Sequence, residues 1–180
     1  MSPETGEYLM LWTARASVAC YVIALWRWLF AGTRNLASDP VAARPADRLY
    51  ILCWSGAWLF CVLHVVCAFQ FRHHWVHSAA LQHTAEMTER VVGINWGGGL
   101  YINYVFLICW GVSSVRSLRI LGHPSLRRPV FETYMHGFAA FMMFNATAVF
   151  GPWWWWIPSI IVVALVSYRK PALRQSNTQQ

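Results

Sequence analysis

The sequence predicts an all-α fold, a polytopic membrane helix bundle of five transmembrane helices with one long His-rich outer loop. Three observations predict it. Hydrophobic residues make up 57% of the 180 residues and charged residues only 12%. That is about half the charge of a soluble domain, too little polar surface to face water all round. The apolar residues fall in runs of about 20, the length that carries a helix across a hydrocarbon core about 30 Å thick. Basic residues gather in alternate connections, the signature of a fixed orientation in a bilayer. The same composition excludes disorder, collagen, a coiled coil and a disulfide scaffold.

The first span is expected at about 8–31. It contains Arg15 and Arg27. Arg27 lies near one end and can snorkel; for Arg15, either the span starts just after it or its side chain points into the protein. The second span, at about 49–71, holds His64, and the third, at about 96–115, holds Asn103. The fourth runs over about 130–150. Continuing it as one helix to Tyr168 would make it roughly 60 Å long, twice the hydrocarbon thickness. Gly151–Pro152 offers a turn, and Trp153–Trp156 suit the membrane interface. A fifth, short span is therefore expected at about 153–168, with four spans plus an interfacial segment as the alternative. The domain organisation expected is one transmembrane domain over 1–170 and a polar cytoplasmic tail, 171–180.

Arg34, Arg44 and Arg48 follow the first span, and Arg116, Arg119, Arg127 and Arg128 follow the third. Arg169, Lys170 and Arg174 follow the fifth, whereas residues 72–95 carry only Arg72 and Arg90. Positive charge stays on the cytoplasmic side, so the N-terminus is expected outside and the C-terminus in the cytoplasm, in a bacterial inner membrane. The start, Met1–Glu7, is acidic and lacks the basic stretch of a secretory signal, so the first apolar segment is expected to be retained. The net charge of +7 is read as orientation, not as a nucleic-acid surface. The five cysteines (Cys20, Cys53, Cys61, Cys67 and Cys109) all lie within apolar runs. They read as small buried hydrophobes.

Five of the seven histidines lie between positions 64 and 83. The segment from His73 to Arg90 lacks Gly and Pro and is expected to be helical. There His73 and His77 would stand one turn apart on one face, a spacing that lets two imidazoles share a metal ion. His74 flanks that face, and His83 with Glu86 forms a second pair. The set His73, His77, His74, His83 and Glu86 therefore predicts a transition-metal site for Zn, Cu or Fe. A haem fits less well, because His64 finds no histidine at matching depth in a facing span and His136 lies toward the cytoplasmic side.

Beneath this loop the spans place His64, Asn103, Asn145, Tyr101 and, if embedded, Arg15 in one layer of the outer membrane half. Polar groups at that depth are costly unless they face the interior and find partners. They predict a polar pocket opening outward, or else hydrogen bonds that fix helix packing. Cys61, Cys67, Met142 and Met143 supply soft ligand atoms at similar depth.

The reading that follows is a small integral membrane protein with an outward-facing His-rich metal site, as a subunit of a redox or metal-handling complex. Its partners are the lipid bilayer and other membrane subunits or further copies of itself; no nucleic acid is expected. A non-catalytic assembly or scaffold subunit is one alternative. A transporter or channel using the polar layer is another. No nucleotide loop or catalytic triad is legible, and no reaction is assigned.

Overall fold

Long runs without internal proline give long helices, and the chain is built from them. The computed structural model describes residues 3–30, 48–120 and 129–151, together with 156, 157, 160, 163 and 164. Helix α1 spans Pro3–Phe30, α2 Arg48–Phe71, α3 His77–Val92, α4 Gly99–Ile120 and α5 Pro129–Phe144. A π-helical turn, Asn145–Val149, continues α5. No strand occurs among the described residues. The first four expected spans correspond to α1, α2, α4 and α5. α4 starts later than expected, because Trp96 still lies in the non-helical approach to it, and it runs on past Val115 to Ile120. The expected fifth span lies largely outside the described residues, of which 156, 157, 160, 163 and 164 are helical. The 171–180 tail, Arg34, Arg44, Arg127, Arg128 and His123 also lie outside them. Among the described residues two helical stretches, Glu4–Leu29 and Arg48–Phe71, are long and apolar enough to cross a membrane.

α1 packs most extensively on α2, α2 also packs on α4, and α4 on α5. Small residues let α1 and α2 approach closely: Ala24 and Ala57 are wholly buried. Ser17 Oγ donates across this seam to the Ala57 carbonyl at 2.8 Å. Around the seam sits an aromatic core of Tyr21, Tyr50, Trp54, Phe106 and Trp110. Trp54 Nε1 donates to Ser113 Oγ at 3.2 Å, which satisfies the indole and ties α2 to α4.

Hydroxyl-bearing residues share the interior with the aromatic core, and the outer surface is apolar as well. Ser17, Ser113, Ser114 and Ser117 are buried. Large aliphatic residues face outward, as with Leu52 on α2, 62% exposed, and Ile108 on α4, 67% exposed.

Three glycines stand between α3 and α4, and two of them shape the connection. Gly93 ends α3 in the left-handed region at φ 78°, its N–H donating to the Glu89 carbonyl at 2.8 Å. Gly97 lies directly against α3, where a Cβ would stand 2.6 Å from the Leu81 carbonyl oxygen. This close approach sets α3 against the start of α4.

Trp54 and Trp110 are the largest fully buried side chains among the described residues. Trp54→Ala is expected to cost about 3–5 kcal/mol of stability, read as an earlier denaturant midpoint for the purified full chain. A midpoint unchanged from wild type would remove Trp54 from the centre of the core.

Candidate functional site

The site is made by a reversal of the chain at 72–76. α2 ends at Phe71, with Arg72 and His73 still donating backbone hydrogen bonds to the Ala68 carbonyl at 3.0 and 3.1 Å. His74 and Trp75 then take positive φ, 48° and 59°. The left-handed region is uncommon for non-glycine residues and more so for a bulky one. The Trp75 position is held by an indole hydrogen bond to Gln70 Oε1 at 2.8 Å and by ring contact with Phe69 at 5.8 Å. α3 starts only at His77.

This corrects the expected helix from His73. The left-handed pair breaks it, so His73 and His77 do not stand one turn apart on a common face. His77 turns instead to α4, with ring centroids 5.8 Å from Tyr101 and 6.1 Å from Tyr104. His74 is exposed. The reversal brings His73 to His83 of α3, their ring centroids 5.5 Å apart. Glu86 accepts a hydrogen bond from Gln82 Nε2 at 3.0 Å. Among the described residues no group of three or more His, Cys, Asp or Glu side chains is arranged to hold a metal ion.

The His73–His83 pair borders a cavity of about 390 Å³. The walls come from every helix: Met10 of α1, Cys61, His64 and Phe69 of α2, Thr84 of α3, Asn103 and Tyr104 of α4, and Met142 and Met143 of α5. The π-helical turn adds Ala146. Of the expected pocket residues, His64 and Asn103 therefore share one cavity, and Asn145, Tyr101 and Arg15 do not line it. Asn145 Nδ2 donates back to the Phe141 carbonyl at 2.8 Å. Tyr101 is exposed on α4. The Arg15 guanidinium lies 5.1 Å over the Trp12 ring on α1.

His64 has a defined orientation. Its Nδ1 is 2.9 Å from the Met10 carbonyl oxygen. A carbonyl only accepts, so Nδ1 carries the hydrogen and, in the neutral ring, Nε2 presents a lone pair. Sequence reasoning missed Arg72 and Thr84 as cavity residues, since both depend on the reversal at 72–76. The soft side chains Cys61, Met142 and Met143 were legible, but not their convergence with His64.

A separate histidine, His136 on α5, is buried at the other end of the core. It stacks on Trp28 with centroids 4.4 Å apart, and its Nε2 is 3.1 Å from the Tyr50 hydroxyl. Among the described residues its Nδ1 has no hydrogen-bond partner. It does not line the cavity.

The chain matches no protein family, no curated protein and no solved structure with which it was compared.

Both rim histidines resist protonation. Burial lowers His73 below its ordinary value of 6.5, and nearby His83, Arg72 and His74 add to the effect. Burial and then Arg72 lower His83, with Arg90 adding and Glu86 pulling the other way. Neutral imidazoles at neutral pH are the form that binds a metal. Because the folded pKa values lie below the unfolded one, the unfolded chain binds more protons in the window just under pH 6.5. Stability is therefore full above that window and falls as the pH drops through it. The thermal midpoint of the wild type is expected to drop more between pH 7.5 and 5.5 than that of a His73→Ala/His83→Ala double variant. Equal drops would show that neither histidine titrates abnormally.

Proposed function

We propose that the protein is a small integral membrane protein that binds one transition-metal ion, zinc or copper, between His73 and His83 on its outer face. The single observation that carries the metal reading is the 5.5 Å separation of the two ring centroids. Two imidazoles sharing one tetrahedral ion, with metal–nitrogen bonds of about 2.0–2.1 Å, place their ring centroids about 5 Å apart. Two protein ligands leave further positions for water or a partner's side chain. The positive Arg72 beside the pair disfavours a bare cation and favours an ion that carries an anionic ligand.

The membrane reading rests on the apolar outer surface. Aliphatic side chains along α2 and α4 face outward, where lipid would cover them. Small and hydroxyl-bearing residues pack inside, as helices do where lipid removes the hydrophobic drive for association. The basic residues of 31–47 and 121–128 support an orientation with those segments in the cytoplasm and the 72–98 segment, with its histidines, on the opposite side.

The test is metal retention by the full chain in lipid nanodiscs, loaded with Zn(II) or Cu(II), dialysed and assayed for the element. About one ion per chain is expected. The His73→Ala/His83→Ala variant should lose affinity by more than the roughly 10–100-fold that loss of a supporting hydrogen bond costs a metal site. His77→Ala should retain the ion. No metal on the wild type, or equal retention by the double variant, would overturn the metal site and leave a scaffold role.

A further inference from the structure

The cavity behind the rim pair is too large for the ion alone. About 390 Å³ lies within the range of small-molecule pockets, roughly 300–1,000 Å³. A water molecule in the liquid takes roughly 30 Å³, so a coordinated ion with a few waters leaves most of this space unexplained. The walls are mostly apolar, with Val65, Ala68, Leu100 and Leu107 among them. A purely polar occupant would forfeit that surface.

Two features define the chemistry of an occupant. Aromatic faces and thioethers meet in the walls: Phe69, Tyr104 and Phe106, with Met142 and Met143. Rings pack on rings and sulfur packs on rings with a geometric preference that aliphatic chains lack. His64, in turn, offers an acceptor. Its Nδ1–H is committed to the Met10 carbonyl, and its Nε2 makes no hydrogen bond to another of the described residues. Reversing the tautomer to make Nε2 a donor would set two lone pairs against each other at Met10. The site therefore asks for a ring that carries a hydroxyl donor.

We propose that this cavity binds a membrane-soluble hydroxylated aromatic ring of the quinol class, whose hydroxyl donates to Nε2 of His64. The inference shares the membrane placement of the proposed function and is independent of the metal. It carries a redox preference in binding alone. A quinol presents hydroxyl donors, whereas the oxidised quinone presents only carbonyl acceptors, which would face the His64 lone pair.

The experiment measures equilibrium binding of three probes to the full chain in lipid nanodiscs under anaerobic conditions: decylubiquinol, decylubiquinone and the dimethyl ether of decylubiquinol. The ether has the shape of the quinol without its donors. Decylubiquinol is expected to bind about tenfold more tightly than either other probe, the size of one hydrogen bond to an otherwise unpaired acceptor. His64→Leu should abolish that preference while leaving ether binding near its wild-type value. The His73→Ala/His83→Ala variant removes two rings from the cavity wall, so it is expected to weaken quinol and ether alike while keeping the quinol-over-ether preference; the metal reading and this one therefore fail separately. Three equal affinities on the wild type, or no saturable binding of any probe, would overturn the proposal. So would a His64→Leu variant that weakens quinol and ether alike. The wild-type ranking decides the matter alone if His64→Leu does not fold.

Discussion

The close seam between α1 and α2 is the contact on which the remaining architecture depends. It exists because alanine stands at Ala24 and Ala57, both wholly buried, so the helix backbones approach without side chains between them. At that distance Ser17 reaches the Ala57 carbonyl, and Tyr21 and Trp54 fit as ring neighbours with centroids 6.3 Å apart. Farther along the same seam, His64 of α2 reaches the Met10 carbonyl of α1. The contact that closes the helix pair therefore also sets which nitrogen of His64 carries the hydrogen. Packing and chemistry share one cause here.

The two ends of the bundle use histidine differently. At His136 the ring is enclosed by Trp28, Trp54, Tyr21 and Tyr50, and its hydrogen bond to Tyr50 helps join α5 to α2. These contacts leave His136 packed among aromatic rings. At the opposite end the rings of His64, His73 and His83 border open space. Burial separates these roles: a fully enclosed imidazole with protein on every side has no room for a ligand, whereas a half-buried one beside a cavity does.

The reversal at His74–Trp75 is the second constraint. Two successive non-glycine residues in the left-handed region cost free energy, of order 1–3 kcal/mol each. The Trp75 indole bond to Gln70 and the fold-back of α3 onto α4 offset that cost. Without the reversal, α3 would continue from α2, and His83 would stand about 15 Å along the helix axis from His73. The proposed metal pair exists only because the chain turns back at this point.

Helix content was legible in the residues themselves, because apolar runs such as Leu49–Phe71 have one solution for their backbone hydrogen bonds and no proline to interrupt it. Four of the expected segments match α1, α2, α4 and α5 within a few residues for that reason. That His64 and Asn103 lie at a common depth was also legible, since depth follows from position along a straight helix. Pairing among the loop histidines was not. His73 with His77 satisfies a local periodicity, and no local signal announces that His74 and Trp75 would abandon it. Nor could depth separate Asn103, which borders the cavity, from Asn145, which bonds to its own helix, because depth does not specify azimuth. Sequence by itself determined which segments are helical and where the titratable and metal-ligating residue types stand along them, since both are properties of neighbouring residues. Only the tertiary structure decided which of those groups meet, because a shared cavity depends on the rotation of each helix and on one reversal whose strain is repaid by contacts remote in the chain.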